Sequence, residues 1–266
     1  MRNSLHSKMP RLSAIVITRN EAAHIRECLE SIRFADEIVV LDSGSTDGTT
    51  DIAREITDKV FVSHDWPGFG AQKNRALGYA TGEWVLSIDA DERVPEALRA
   101  QIESAIAAPA HDGYRIPRLS SYCGRFMRHS GWWPQPVLRL FARGKGRFDG
   151  RPIHESVIVD GSVGTLDEHL IHYTFEDLED VLATMNRYST DSARMLYDEG
   201  KRANELTAII HGLATFIRTY FLKAGFLDGR EGFSLAVTNA EGSFYRYLKL
   251  AYLTRRSGKG RKSGPA

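Results

Sequence analysis

Cysteine is scarce: Cys28 and Cys123 are the only two in 266 residues. Two residues build no disulfide framework, and their spacing is not that of a zinc site, so a reducing compartment is the simplest setting. The first eleven residues are polar and lack the apolar core of a secretory leader, which points to the cytoplasm. No run of about 20 apolar residues occurs, because His211, Arg218 and Lys223 interrupt the most hydrophobic stretch, so no membrane-crossing helix is expected. Internal repeats are absent. Acidic residues are missing from Ser243 onward, where Arg246, Lys249, Arg255, Arg256, Lys259, Arg261 and Lys262 stand. The overall formal charge of +1 therefore hides an acidic body at −6 and a basic end suited to an anionic surface.

What is present reads as alternating strands and helices. Residues 12–18 (LSAIVIT), 37–43 (EIVVLDS), 60–63 (VFVS) and 84–89 (WVLSID) are short apolar runs, and residues 22–32, 49–56 and 71–80 between them are helical. Strands this apolar, separated by helices, predict an α/β fold with a mostly parallel sheet covered on both faces. In such sheets ligands bind beyond the carboxyl ends of the strands. Polar residues gather there after three strands: Thr18, Asn20 and Glu21, then Asp42 and Ser43, then Asp89 and Asp91. Short strands are expected at 114–117, 137–141 and 156–159, and helical periodicity from 176 to about 253. The closing RRSGKGRKSGPA has the composition of a disordered segment.

Asp89 and Asp91, in WVLSIDADE, lie on one side of an extended chain roughly 6.6 Å apart. Paired hard oxygens suit a divalent cation; the alternative is that Asp91 caps the helix that follows Pro95. LDSGSTDGT, residues 41–49, is either an ordinary Ser/Gly/Asp turn or a loop whose N–H groups meet a nucleotide, with Asp42 accepting from a base.

TRNE after the first strand, DSGSTDGT after the second, FGAQKNRAL before the fourth and WVLSIDADE together resemble the family 2 glycosyltransferases of the GT-A fold, nearest to those of lipopolysaccharide core biosynthesis that form β-1,4-glucosyl links. The likeness is specific over residues 12–98 and looser through RPIHESV and FLKAGFLDGREGF. It implies a UDP-hexose donor, Mg²⁺ or Mn²⁺ and inversion at the anomeric carbon. It places Thr18, Asn20 and Glu21 around uracil and ribose, Asp42 with Ser43 near the base, and Asp89 and Asp91 on ribose, metal and diphosphate. Lys73 either adds positive charge to the diphosphate or is a solvated surface lysine.

An inverting transfer needs a base near the acceptor hydroxyl. Glu155 of RPIHESV is the candidate, Asp149 the reserve, and His154 orients the acceptor or approaches the metal. His172 in LIHYTF is a core histidine or a metal ligand. Trp132 and Trp133 are either core or a flat platform for an acceptor sugar, and Arg139, with Arg125 and Arg128 nearby, suits an anionic acceptor.

Further along, Ile209, Leu213, Phe216, Ile217 and Tyr220 form one helical stripe, and aromatics from Phe244 to Tyr252 interleave with cations. This suits an amphipathic surface on a membrane or, alternatively, packing on the body or a second subunit. The expected organisation is a GT-A catalytic domain over residues 1–175, a helical membrane-associating extension over 176–255 and a disordered basic tail over 256–266. The expected activity is a metal-dependent hexosyltransferase acting on a lipopolysaccharide inner-core or other lipid-linked saccharide, peripheral on the inner face of the plasma membrane. A homo-oligomer is compatible with this, and no nucleic acid partner is expected. The competing readings are a GT-A nucleotidyltransferase making a sugar nucleotide, a D-x-D phosphohydrolase and a non-catalytic nucleotide-binding scaffold.

Overall fold

The computed structural model describes residues 11–149 and 156–260. The first half runs β1 (Leu12–Thr18), α1 (Ile25–Ser31), β2 (Glu37–Asp42), α2 (Thr49–Arg54), β3 (Val60–Val62), α3 (Phe69–Tyr79), β4 (Trp84–Asp89), β5 (Glu92–Arg93), α4 (Glu96–Ala107), β6 (Gly113–Ile116), β7 (Arg118–Tyr122) and β8 (Arg125–Phe126). It continues through β9 (Val137–Ala142), β10 (Gly146–Phe148), β11 (Val157–Val159), β12 (Val163–Thr165), β13 (Leu170–Phe175), α5 (Leu178–Asp198) and α6 (Glu205–Ile217). A π turn (Arg218–Leu222), a 3-10 turn (Gly225–Asp228) and the long α7 (Gly229–Gly260) follow. Helix α1 starts three residues later than its periodicity predicts, because the Glu21 carbonyl accepts from the N–H groups of His24 and Ile25 in a preceding turn.

Two compact units emerge, one of residues through Leu119 plus Gln135–His172, the other of Ser120–Pro134 plus Tyr173 onward. The first unit holds a seven-stranded sheet in the order β12-β6-β9-β4-β1-β2-β3. Strands β4, β1, β2 and β3 are mutually parallel, while β9 runs antiparallel between β4 and β6. Side chains alternate across it with period two. Leu12, Ala14 and Val16 of β1, with Ile38 and Val40 of β2, join Leu29 of α1 and Leu98 and Ile102 of α4 on one face. Ile15, Val39, Leu41 and Val85 join Ala76 of α3 on the other. Both faces are buried, which explains why the strands read as continuous apolar runs.

Register fixes the mouth of the sheet. Thr18 pairs with Asp42, and Ile17 with Asp89, so the ends of β1, β2 and β4 lie side by side. At the opposite end Glu37 is held by Ser13, Lys59 and Thr81. Burial would raise its pKa, but these hydrogen bonds outweigh that and bring it down to about 2.

The second unit is helical around a core of Tyr122, Met127, Val181 and Leu235. Asp228 is buried there and accepts from the His129 N–H at 2.9 Å and from the Ser130 hydroxyl at 3.3 Å. Gly232 of α7 is obligatory, because a Cβ would lie 1.9 Å from the Gly225 carbonyl oxygen. Helix α7 continues through Gly260, into the segment whose composition predicts disorder. Extending an existing helix avoids the cost of nucleation, and Arg and Lys are good helix formers.

Candidate active site

The loops after β1 and β2 lock onto each other. The Asn20 N–H donates to the Ser45 hydroxyl at 2.8 Å, and Asn20 Oδ1 accepts from the Thr46 N–H at 2.9 Å. The Glu21 N–H donates to Thr49 Oγ1 at 2.8 Å, and the Ala22 N–H to Asp47 Oδ2 at 3.0 Å. TRNE and DSGSTDGT, separate in sequence, are thus one structure. Asn20 sits at φ 55°, a conformation asparagine tolerates better than most residues. Gly44 sits at φ 85°, and a Cβ there would come 3.1 Å from His64 Nδ1.

Asp42 is fully buried and turned onto its own loop. Its Oδ1 accepts from the N–H groups of Gly44 and Ser45, both at 2.8 Å, and its Oδ2 from the Ser45 hydroxyl. The carboxylate expected to meet a base also shapes its own loop, as Asp does in Asx turns. Ser43 Oγ accepts from Gln72 Nε2 at 2.9 Å, with both residues buried. Thr18 Oγ1 is buried beside them with no hydrogen-bond partner among the described residues. An unsatisfied buried hydroxyl costs about 1–3 kcal/mol, and a ligand atom reaching it recovers that.

Asp89, at the end of β4, is clamped between Lys73 Nζ at 2.9 Å from Oδ1 and Arg139 on Oδ2. Arg139 Nη2 also donates to Glu92 Oε1 at 2.7 Å, and Glu92 Oε2 accepts from the Asp89 N–H at 3.0 Å. Burial would raise the pKa of Asp89, but the charges of Arg139 and Lys73 hold it well below the usual carboxylate range. Burial would lower the pKa of Arg139, and Asp89 and Glu92 raise it instead. Arg139, expected at an anionic acceptor, is 6% exposed because β9 lies inside the sheet, where its guanidinium joins two carboxylates. Lys73 is likewise buried and is not a solvated surface residue.

Asp91 does not cap α4, whose N-cap is Pro95. Its Oδ2 lies 3.1 Å from His172 Nε2, which β13 brings across by pairing His172 with Glu92. Nearby carboxylates leave an excess of negative potential: Glu21 has its pKa raised to about 7, by burial first and then by Asp91, Asp47 and Asp89. Among the described residues no three His, Cys, Asp or Glu side chains enclose a metal. One or two carboxylates facing an open position nonetheless fit Mg²⁺, which keeps waters and takes its other oxygens from substrate phosphates.

The expected base Glu155 and its neighbour His154 lie outside the described residues. Asp149, the reserve, accepts from the Ser156 N–H at 3.1 Å and the Ser156 hydroxyl at 3.0 Å. Trp132 is packed with Tyr122 and Phe175 at centroid distances of 5.8 and 6.3 Å, and Arg128 lies over Trp133 at 5.6 Å. Both tryptophans belong to the helical unit. Glu92, Gln72 and Asp47 join the site without having been singled out from the sequence. For Asp47 a signal existed, since it lies inside GSTDGT just ahead of a helix.

Comparison with known proteins identifies a family through the sequence matches. Residues 13–173 match the family model described as Glycosyl transferase family 2. A lipopolysaccharide core biosynthesis glycosyltransferase, LpsC, of Rhizobium meliloti (strain 1021) is 34% identical over 261 residues, covering 94% of this chain and 93% of the relative. An uncharacterized glycosyltransferase of Rickettsia felis is 30% identical, covering 92% and 90%. Among solved structures, S. aureus TarS 1-349 in complex with UDP aligns over 93% of this chain and 92% of its own, at 19% identity and a TM-score of 0.49. The glucosyl-3-phosphoglycerate synthase of Mycobacterium tuberculosis, with Mn²⁺ and UDP-glucose, aligns over 42% and 44%, at 27% identity and a TM-score of 0.35.

Proposed function

The chain belongs to glycosyl transferase family 2 and is a glycosyltransferase related to an enzyme of lipopolysaccharide core biosynthesis, and we propose that it moves a hexose, glucose from UDP-glucose, to a lipid-linked saccharide with inversion. The observation that carries the donor-site reading is the gathering of Glu21, Asp47, Asp89 and Asp91 at the ends of the strands, where burial first and then the charges of Asp91, Asp47 and Asp89 lift Glu21 to about 7. Such a field favours a bound cation. Asp91, backed by His172, would hold Mg²⁺ or Mn²⁺, with Asp89 and His154 completing the expected donor set. When bound, that ion supplies Lewis-acid stabilisation of the charge developing on the departing diphosphate.

The chain's own residues do the remaining work. The interlocked loops of Asn20, Glu21 and Asp42 form the floor for uridine, and Thr18 Oγ1 offers a hydroxyl to it. Lys73 and Arg139 keep Asp89 ionised at every physiological pH, so its oxygens accept from ribose hydroxyls without competing for a proton. The acceptor hydroxyl oxygen attacks the anomeric carbon, its proton passes to Glu155, and the bond to the diphosphate breaks with its electron pair leaving on UDP. Membership in the family removes support from the phosphohydrolase and scaffold readings. A peripheral position on the cytoplasmic membrane face fits a lipid-linked acceptor, and no helix among the described residues is long and apolar enough to cross a membrane.

Thermal-shift titration with UDP, GDP, CDP and dTDP, each with and without Mn²⁺, tests the donor. A Mn²⁺-dependent rise for UDP that Asp91→Ala abolishes is expected, followed by UDP release when UDP-glucose and a lipopolysaccharide-core acceptor are supplied. No shift with any nucleotide refutes the donor reading.

A further inference from the structure

Helix α6 is amphipathic in the wrong sense for a helix surrounded by water. Ala208 and Gly212 are its buried residues, and the Gly212 Cα faces α7 so closely that a Cβ would lie 3.1 Å from Phe244 Cβ. The large apolar residues point outward instead: Leu206 is 62% exposed, Ile210 56%, Leu213 61% and Ile217 50%. These positions recur every three or four residues and form one stripe. Through the π and 3-10 turns the stripe continues with Phe221, Leu222 at 78%, Phe226 and Leu227. A contiguous apolar face of this extent marks an interaction surface. A helix that faces water packs its leucines inward, and α6 does the reverse.

We propose that this face of α6 and the turns after it docks in the interface of an anionic lipid bilayer. Three observations select lipid as the occupant. First, between Leu206 and Arg230 the exposed side chains of fixed charge are all cations, Arg218, Lys223 and Arg230, because Asp228 is buried. Cations bordering an apolar stripe are the pattern of an interfacial helix. Second, the carboxylates that flank the segment are already engaged within the helical unit, Glu205 with Arg255 and Glu231 with Arg125, so the cations of the segment are left to answer an external anion such as a lipid phosphate. Third, a groove of about 460 Å³, lined mainly by apolar residues such as Ile209, Leu213, Phe216, Val237 and Phe244 with Glu241 as its one charged residue, opens beside the stripe and offers an acyl chain apolar walls.

The cations that matter differ from those the basic C-terminus suggests. Lys249 turns inward onto Asn186, Ser189 and Thr190, and Arg255 pairs with Glu205. The inference rests on the peripheral membrane position proposed above and stands apart from the donor reading, since it concerns the helical unit alone.

The test is sedimentation of the full chain with phosphatidylcholine vesicles, with and without phosphatidylglycerol. The expected result is binding that phosphatidylglycerol strengthens, reduced about 100-fold or more in Leu213→Asp/Leu222→Asp, whose two side chains each leave an apolar phase. Met195→Asp, at a comparably exposed apolar residue of α5, binds like the parent. Both variants keep the parental unfolding midpoint, because each residue is already solvent-facing. Equal binding by the double variant overturns the proposal. So does sedimentation velocity showing a dimer that the double variant dissociates, with no vesicle binding by the parent, which would make the stripe a chain-to-chain interface.

Discussion

Glu21→Gln removes one ionisable group from a half-buried position beside three aspartates, and its effect on stability should depend on pH in a defined direction. In the folded chain the pKa of Glu21 is about 7 against an ordinary value of 4.5, through burial and then through Asp91, Asp47 and Asp89. Below 4.5 the group is protonated in both states and its favourable contribution is complete. As pH rises towards 7 the unfolded chain releases the proton first, so that contribution is progressively lost, and above 7 the folded chain carries the full repulsion. At 1.36 kcal/mol per pH unit the difference amounts to about 3 kcal/mol at most. Urea unfolding of both proteins from about pH 5 to pH 8 measures it, because other titrating groups cancel between them. Glu21→Gln should gain on the parent by roughly 2–3 kcal/mol across that range. Added Mn²⁺ should narrow the gap by neutralising the neighbouring carboxylates. A difference that does not vary with pH would refute the assignment of a crowded carboxylate cluster at this site.

Arg139→Met should cost about 3–5 kcal/mol in equilibrium unfolding, because Asp89 and Glu92 are left buried together without their shared cation; a loss under about 1 kcal/mol would mean the pair is already solvated. Gly82→Ala should lower stability by about 1–3 kcal/mol, since the new Cβ would stand 2.7 Å from Ser13 Oγ and 2.8 Å from the Ser13 backbone nitrogen. An unchanged midpoint would show that β1 can shift at no cost. His172→Gln should weaken Mn²⁺ binding about 10–100-fold by electron paramagnetic resonance titration while leaving UDP affinity without metal unchanged, as loss of an outer partner of Asp91 does. Undiminished Mn²⁺ affinity would separate His172 from the metal.

Much of the catalytic unit is legible locally. The ends of β1, β2 and β4 follow from apolar runs halted by Thr18, Asp42 and Asp89, because a strand buried on both faces admits few polar residues until it leaves the sheet. The D-x-D motif is legible for the same reason. What Asp42 does is not, since a carboxylate after a strand serves equally well to bond a ligand or its own loop, and only the positions of the Gly44 and Ser45 N–H groups decide.

The order of strands and helices, the placement of the polar loops at one sheet edge and the family were all determined by the sequence itself, through periodicities of two and near four and motifs that span few residues. Tertiary structure alone decided the partners that come from far along the chain. The antiparallel pairing of Leu86 with Leu140 carries Arg139 to Asp89, and that of Glu92 with His172 carries the imidazole to Asp91. Strand pairing chooses neighbours by register across the whole sheet, and no local pattern encodes that choice. The orientation of α6 has the same origin. Periodicity marks a stripe, but the close approach of α7 to Gly212, which only the small face allows, turns the leucines outward.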